Sequence, residues 1–520
     1  MAGVRRRRAL GLLAFGASAA TAGALWPTAS GDRRVVAGRL GSPAPISTGS
    51  VPTSTGADPA PGSVPVVREN QASGHTWPPP DSRRPGVDDR RRQIQGYASA
   101  TSVAHGQTID FHVAVAPAGA YRITVVRLGW YGEAGARELL TSPELTGGPQ
   151  PVPAPDPVTG ALVCRWPVSW TLRIPDDWTS GLYQAIFTSA RGWRGYAPFV
   201  VRDDRRAATL CVVLPFTTYQ AYNQWPMDGT TGRSLYYGYR DGALDYQRRA
   251  FDVSYDRPYA GEGWPKHLDR DHDFIRWAER RGYDLTYATT EDLHSGRLDL
   301  TRHRGVVFCG HDEYWSRPMR VAAERAVAAG TSLAFLAANS VYWHIRLGSS
   351  ADGRPERLVT CYKTSPDPGV DAAGPTTYWR HVARDGTHAE QGLLGIQYNG
   401  IVATPQPLVV ASAQHWFWAG SGVADGDRIP GLVGGEADGV VPGHPRPTGV
   451  TGVTLGTGRY RTRSGLQRVQ NTHLYETPQG GLVFAAGTLF WTMALDRAEH
   501  RDERVERATV NLMDRMVRPR

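Results

Sequence analysis

Gly305-Val-Val-Phe-Cys-Gly-His-Asp-Glu-Tyr-Trp-Ser-Arg-Pro-Met319 decides the fold class, because its two halves follow different periods. Residues 305–309 are an apolar run without polar alternation, the pattern of a strand buried on both faces. Ser316 can cap the amphipathic run from Arg317 to Ala329, which ends at Gly330, so a helix follows. In an open α/β sheet, ligands bind in the crevice at the carboxyl ends of the strands. His311, Asp312 and Glu313 fall in that turn. An imidazole and two carboxylates are costly as mere loop decoration, which makes this turn the first candidate site. The alternative is a solvated turn with both carboxylates facing outward.

The same alternation extends to both sides. Residues 208–214, 284–288, 331–336 and 481–486 read as strands. Residues 271–281 and 505–516 carry apolar positions at helical spacing. A parallel, doubly wound α/β domain is therefore expected over 207–520. Upstream the pattern changes to period two: residues 109–115 and 121–127 alternate around a Pro-Ala-Gly turn, and 170–174 and 181–187 continue the theme. These runs predict an immunoglobulin-like β-sandwich over 93–203. Its aromatics (Trp130, Tyr131, Trp166, Trp170, Trp178 and Tyr183) suit a sandwich core better than a carbohydrate platform. The fold class is β followed by α/β.

The first 92 residues read differently. Four arginines, Arg5 to Arg8, precede an Ala-rich apolar run to Leu25, which predicts a signal peptide over 1–27 that resembles the twin-arginine type. An uncleaved anchor is the alternative. Residues 28–92 are rich in Pro, Ser, Gly and Thr and predict a disordered tether. A secreted or extracytoplasmic protein follows, with scope for cell-envelope association through the N-terminus. The net charge of +9 gives no case for nucleic acid, because 13 Arg against 6 acids within 1–92 leave only +2 for the remaining 428 residues. Four cysteines without CxxC spacing leave room for one disulfide but form no framework. Only Lys266 and Lys363 are lysines among 58 basic residues, so each is of interest as a compact, titratable ammonium.

After the strand at 208–214 comes a tyrosine-dense excursion, with Tyr219, Tyr222, Tyr236, Tyr237, Tyr239, Tyr246, Tyr255 and Tyr259 between residues 215 and 260. It begins at the carboxyl end of a strand and should overhang His311 and Glu313. A phenol titrates near pH 10 in water, but a hard trivalent cation can deprotonate it. Two phenolates and a carboxylate are all-oxygen, anionic ligands suited to iron(III). The alternative is an aromatic lid packed on the sheet.

Several of these motifs occur in a known family. Thr218-Tyr-Gln-Ala-Tyr-Asn223, Ser234-Leu-Tyr236, Gly310-His-Asp-Glu-Tyr-Trp-Ser316, Ala338-Asn339, Gly434-Gly-Glu-Ala-Asp438 and Phe484-Ala-Ala-Gly-Thr488 resemble the large (β) subunit of N,N-dimethylformamidase and its relatives. Gly96-Tyr-Ala-Ser99 and Arg127-Leu-Gly-Trp-Tyr-Gly132 are similar to the sandwich that precedes the catalytic domain in that family. The resemblance implies a domain like class I glutamine amidotransferases holding one iron through two tyrosines and a glutamate. By motif, the glutamate is Glu313, the first tyrosine is Tyr219, and the second is Tyr236, with Tyr222 and Tyr259 as competitors. It also implies that His311, Asn339, Lys363 and Glu436 line the site. Here His-Asp-Glu replaces the expected His-Pro-Glu.

The activity so implied is hydrolysis of carbon–nitrogen bonds in a small-molecule amide. His311 would be the general base, Asn339 and Lys363 would donate to the developing oxyanion, and Glu436 would orient or neutralise Lys363. Two rival readings are a hydrolase using Cys309 as nucleophile with His311 as base, and a non-catalytic carbohydrate- or envelope-binding protein on the same fold. No Walker loop or dinucleotide turn is present.

Overall fold

Leu285–Thr289, Leu210–Leu214, Gly305–Phe308, Ser332–Phe335 and Leu482–Ala485 lie side by side, in that order and all parallel, in the computed structural model. The structure describes residues 64–77, 87–369, 374–383 and 387–518. Side chains alternate across a strand, so each apolar run feeds two cores. Val212, Val307, Ala334 and Phe484 face one core, shared with Phe274 and Trp277 of the Leu268–Arg280 helix and Leu512 of the Glu503–Val517 helix. Val213, Val306, Phe308, Phe335 and Val483 face the other, shared with Met319, Ala323 and Ala326 of the Arg317–Ala328 helix. Helices on both faces explain the absence of polar alternation in these runs.

The sheet is not parallel throughout, as the sequence led us to expect. Beyond Leu482–Ala485 it continues antiparallel through Gln467–Glu476, Gly452–Arg461, Gln406–Val410 and Arg428–Val433. The short connection between residues 461 and 467 permits only a hairpin, whereas a parallel pair needs a crossover of a dozen residues or more.

Upstream, the long strands Gly119–Leu128, Gly181–Ser189 and Arg194–Arg202 belong to one sheet, and Ile94–Ala98, Thr108–Val115 and Trp170–Arg173 form a second. Ile94, Phe111, Val113, Ile123, Val125, Phe187 and Phe199 from the two sheets share one core. Tyr131, Trp166 and Tyr183 are buried, and Trp170 and Trp178 pack against the sandwich core, as expected of structural aromatics. The described residues belong to one compact unit. Within it, Arg127 of the all-β part pairs with Glu279 of the Leu268–Arg280 helix at 2.6 Å, both side chains fully buried.

The signal peptide and most of the tether lie outside the described residues. The tether's end does not behave as expected. Pro65–Glu69 is helical and His75–Thr76 pairs with the Gly135–Thr141 strand. Val64, Val66 and Trp77 are buried against the main core, and the Glu69 carboxylate meets Arg137 at 2.9 Å and accepts from Tyr131 at 2.7 Å. These few apolar and charged residues are enough to dock the segment, although its average composition reads as disordered. All four cysteines are free and buried, so the disulfide allowed by export is not formed. Among the described residues no helix is long and apolar enough to cross a membrane.

Candidate active site

Gly305–Phe308 delivers the turn that carries Glu313 to the carboxyl edge of the sheet. Gly310 is required there, because a Cβ would overlap the Asp271 carboxylate. The turn is held from both sides. Thr218, on the Phe216–Tyr222 helix, accepts the Glu313 N–H at 3.0 Å, and the Glu313 carbonyl accepts the N–H groups of Tyr342 and Trp343, each at 2.9 Å. Tyr314–Ser316 pairs with Trp343–Gly348 in a small four-stranded sheet that also includes Leu358–Thr360. This sheet, beside the crevice, brings Trp343 and the residues leading to Lys363 over the turn.

The Glu313 carboxylate collects an unusual set of donors. Tyr222 donates to Oε2 at 2.9 Å, Tyr236 lies 2.8 Å from Oε2 and 2.9 Å from Oε1, and the two hydroxyls are 3.0 Å apart. Trp343 Nε1 donates to Oε1 at 2.9 Å and Asn339 Nδ2 at 3.2 Å. His311 Nε2 stands 3.3 Å from Oε2 and 3.3 Å from the Tyr222 hydroxyl. Its Nδ1 faces the Ala338 carbonyl at 3.1 Å. A carbonyl only accepts, so Nδ1 carries a proton; Nε2 donates to the Glu313 carboxylate while the ring is cationic and becomes the free acceptor of the site once the ring is neutral.

Charge is arranged around these groups with equal care. Burial would raise the Glu313 pKa, but the hydrogen bond and charge of His311, with Lys363 and Tyr236, hold it below its usual value. Burial would lower that of His311, but Glu313 and Glu436 hold it above. Burial, with the Glu313 charge added, pushes the Tyr222 and Tyr236 phenols well above their ordinary value. Burial brings Lys363 down to about 8. The tyrosine rings stack 4.5 Å apart. Lys363 Nζ lies 3.3 Å from the Tyr236 ring centroid and Lys266 Nζ 4.4 Å from that of Tyr222, so both lysines of the chain attend the stacked pair. A cation over a ring favours the more electron-rich phenolate.

His267 packs edge-on against both Tyr222 and His311, at 5.6 and 5.4 Å. His267, Asn339 and Lys363 adopt φ values of 74°, 56° and 59°. The left-handed region costs a non-glycine residue about 1–2 kcal/mol. Three such residues around one carboxylate mark a site at which backbone strain is tolerated.

The structure brings Tyr236, Glu313, His311, Asn339, Lys363 and Glu436 together but leaves Tyr219 out. Tyr219 points away and donates to Asp271 at 2.7 Å, while Tyr222, three residues on, takes its expected place. Tyr259 does not reach Glu313 either, and among the described residues its buried hydroxyl has no hydrogen-bond partner. Glu436 does not pair with Lys363. It accepts from Asn339 at 2.8 Å and lies 3.7 Å from His311 Nε2. Asn339 thus bridges two carboxylates, and Asp438 fixes its backbone N–H at 2.8 Å. Cys309 donates to Asp271 at 3.3 Å, and burial and the Asp271 charge push its thiol pKa well up, which disqualifies it as the nucleophile for His311. Trp343 and His267 were not foreseen, because no local pattern marks residues 30 and 46 positions away as neighbours of Glu313.

The family model for the C-terminal part of N,N-dimethylformamidase beta subunit-like proteins matches residues 122–504. The chain belongs to this family. It is 29% identical to the N,N-dimethylformamidase beta subunit of Paracoccus aminophilus over 242 residues and 27% identical to that of an Alcaligenes species over 240. Each match covers 39% of this chain and 31% of the relative, so the chain spans about a third of the length of either relative. Among solved structures, a superoxide reductase from Ignicoccus hospitalis is 14% identical and covers 24% of this chain and 86% of its own, at a TM-score of 0.13, which supports no structural argument.

The two tyrosines of the helix can be separated by experiment. Tyr219→Phe removes a donor from the buried Asp271 and should cost about 1–3 kcal/mol of stability, read by denaturant unfolding, with metal content unchanged. Where a metal is held at Glu313, Tyr222→Phe should lower its content. The opposite pattern would restore Tyr219 to the site.

Proposed function

We propose that this chain is an iron-dependent hydrolase of carbon–nitrogen bonds in small amides. The observation that carries the reading is the triangle of Tyr222, Tyr236 and Glu313 oxygens, 2.8–3.0 Å apart, with His311 Nε2 at its edge. Three oxygens sharing one octahedral ion at about 2.0–2.1 Å are separated by about 2.9 Å, so the spacing fits one cation. The donor set, one carboxylate and two ionisable phenols, fits a hard trivalent ion such as iron(III). Among the described residues no group of three His, Cys, Asp or Glu side chains has metal-holding geometry, so no conventional donor set competes with this one.

Tyr222, Tyr236 and Glu313 would hold the iron, which supplies Lewis acidity toward the amide carbonyl and toward water. The protein's part is proton management and orientation. His311, its tautomer fixed by Ala338, takes a proton from the attacking water at Nε2 and can return it to the departing amine nitrogen. Glu436, whose pKa is raised by burial and by the Glu313 charge despite His311, stands beside that nitrogen and steadies the imidazolium as it forms. Asn339 holds Glu313 and Glu436 in place. Lys363 keeps a positive charge against the Tyr236 face without a hydrogen-bond partner among the described residues. It can therefore offset negative charge at the carbonyl oxygen.

Two facing β-sheets ahead of a parallel sheet with its site at the carboxyl edge support our reading of an immunoglobulin-like sandwich followed by an amidotransferase-like domain. Arg5 to Arg8 and the apolar run behind them support export.

The test is purification after expression with iron supplied. About one iron per chain, a visible phenolate-to-iron(III) absorption band and hydrolysis of N,N-dimethylformamide or a simple N-alkyl amide are expected. Colourless, iron-free protein would favour the non-catalytic binder. Iron affinity should also rise with pH. Both phenols are protonated at neutral pH in the metal-free protein because their pKa values are raised, and each proton displaced on binding adds about a tenfold gain per pH unit below those values. Titration of the colour at several pH values reads this, and a pH-independent affinity would exclude phenolate ligation.

A further inference from the structure

The Leu268–Arg280 helix begins at the edge of this site, and two cations, Lys266 and Arg270, stand among the acids of its start. Lys266 and Arg270 stand where the helix end is already positive and carboxylates are the stabilising side chains. Later arginines on the same segment are matched: Arg276 to Asp496 at 2.7 Å, Arg280 to Asp496 at 3.3 Å, and Arg281 to Glu506. The acids at the helix start are engaged elsewhere, Asp269 and Asp273 by Arg497 at 2.8 and 2.6 Å and Asp271 by Tyr219 at 2.7 Å and Cys309 at 3.3 Å.

Among the described residues, neither Lys266 nor Arg270 has an ion-pair or side-chain hydrogen-bond partner, and Arg270 Nη1 is buried without an acceptor. Both cations nonetheless lie against groups of the site. Lys266 Nζ lies over Tyr222, and Arg270 Cζ is 5.7 Å from the Phe490 ring. Phe490 in turn packs against Gly434 and Gly435, directly before Glu436. Between the two cations, His267 starts the helix with φ of 74° and no side-chain cap. A buried guanidinium N–H without an acceptor is costly unless an anion completes the arrangement, and the exposed Lys266 ammonium can share that anion.

We propose that Lys266 and Arg270 bind a carboxylate carried by the substrate, so that the amide hydrolysed here is of the N-acyl amino acid type. This rests on the amide-hydrolase reading, with the cleaved bond at Glu313 and His311 and the carboxylate against the helix start. The neighbouring acids are engaged by other groups and pair with neither cation: Glu313 is held by Tyr222, Tyr236, Trp343, Asn339 and His311, and Glu436 by Asn339 and His311.

The test compares N-acetylglycine with N-acetylglycinamide on iron-supplied full-length protein, by calorimetric binding and by kcat/KM. N-acetylglycine should be preferred, and Lys266→Gln and Arg270→Gln should each reduce that preference about ten- to a hundredfold. Lys266→Arg and Arg270→Lys should retain most of it. Iron content and the visible band identify any variant whose metal site has been disturbed, and the other variant then decides. Turnover of both amides without preference, or a preference that both Gln variants leave intact, overturns the carboxylate site and spares the hydrolase reading. Binding of N-acetylglycine that depends on Lys266 and Arg270, without turnover of either amide, supports the carboxylate site and counts against the hydrolase. Acetate binding as tightly as N-acetylglycine overturns the substrate assignment in favour of a free-anion site, and absence of binding overturns it outright.

Discussion

Glu313→Ala is expected to lose iron, visible absorption and amide hydrolysis together, with activity falling to background. Glu313 is the hub of the site: the two tyrosine hydroxyls, the Trp343 indole, the Asn339 amide and the His311 ring all converge on its two oxygens. Alanine removes the carboxylate of the donor set and the negative charge that steadies Lys363 and His311. Two phenols alone, each with its pKa raised, would have to ionise beside one another without that ligand. Glu313→Gln separates charge from packing, since it keeps the side chain's volume and one acceptor oxygen. It should fold with near-native unfolding behaviour and still hold little iron. Metal analysis and the absorption spectrum check both variants. Stoichiometric iron in Glu313→Ala would place the metal elsewhere and end the three-oxygen reading.

The parts of this fold that could be read from the sequence are those with local causes. The strand at Gly305–Phe308 and the helix at Arg317–Ala328 follow from an apolar run and an amphipathic run separated by Gly310 and Ser316. The position of Glu313 at the crevice follows from that connection. What could not be read depends on partners distant in the chain. Tyr219 and Tyr222 lie three residues apart on one helix, and nothing local says which of them faces Glu313. The choice is made by Asp271, 52 residues after Tyr219, which takes the first hydroxyl. Trp343 reaches Glu313 because the Tyr314–Ser316 and Trp343–Gly348 strands pair, and that pairing has no local signature. The antiparallel half of the sheet was missed for a related reason. Strands with polar faces read alike in a parallel or an antiparallel setting, and the hairpin linking Gly452–Arg461 to Gln467–Glu476 fixes the direction. The two lysines stand out in the sequence by their rarity, but their convergence on one stacked tyrosine pair is a fact of the tertiary structure alone.

His311→Ala should retain iron and colour while hydrolysis slows by about 10²–10⁴-fold, the usual contribution of a positioned general base. The imidazole lies outside the oxygen triangle, with Nε2 3.3 Å from both Tyr222 and Glu313, so its removal leaves all three proposed ligands in place. What is lost is Nε2, the acceptor for the water proton, on a ring whose tautomer Ala338 fixes through Nδ1. The pH profile gives a second readout. In the metal-free protein Glu313 and Glu436 hold the His311 pKa above its ordinary value; a cation on Glu313 offsets that carboxylate's share, and the base becomes available as pH rises through the resulting value. Activity of the wild type should therefore climb across it. In His311→Ala that limb should vanish while the pH dependence of metal binding persists, because the latter belongs to Tyr222 and Tyr236. Glu436→Gln removes one of the two charges that raise the pKa and should shift the limb to lower pH without abolishing it. Loss of iron in His311→Ala would instead make the imidazole a ligand. An unshifted limb in Glu436→Gln would show that Glu313 alone sets the proton affinity of His311.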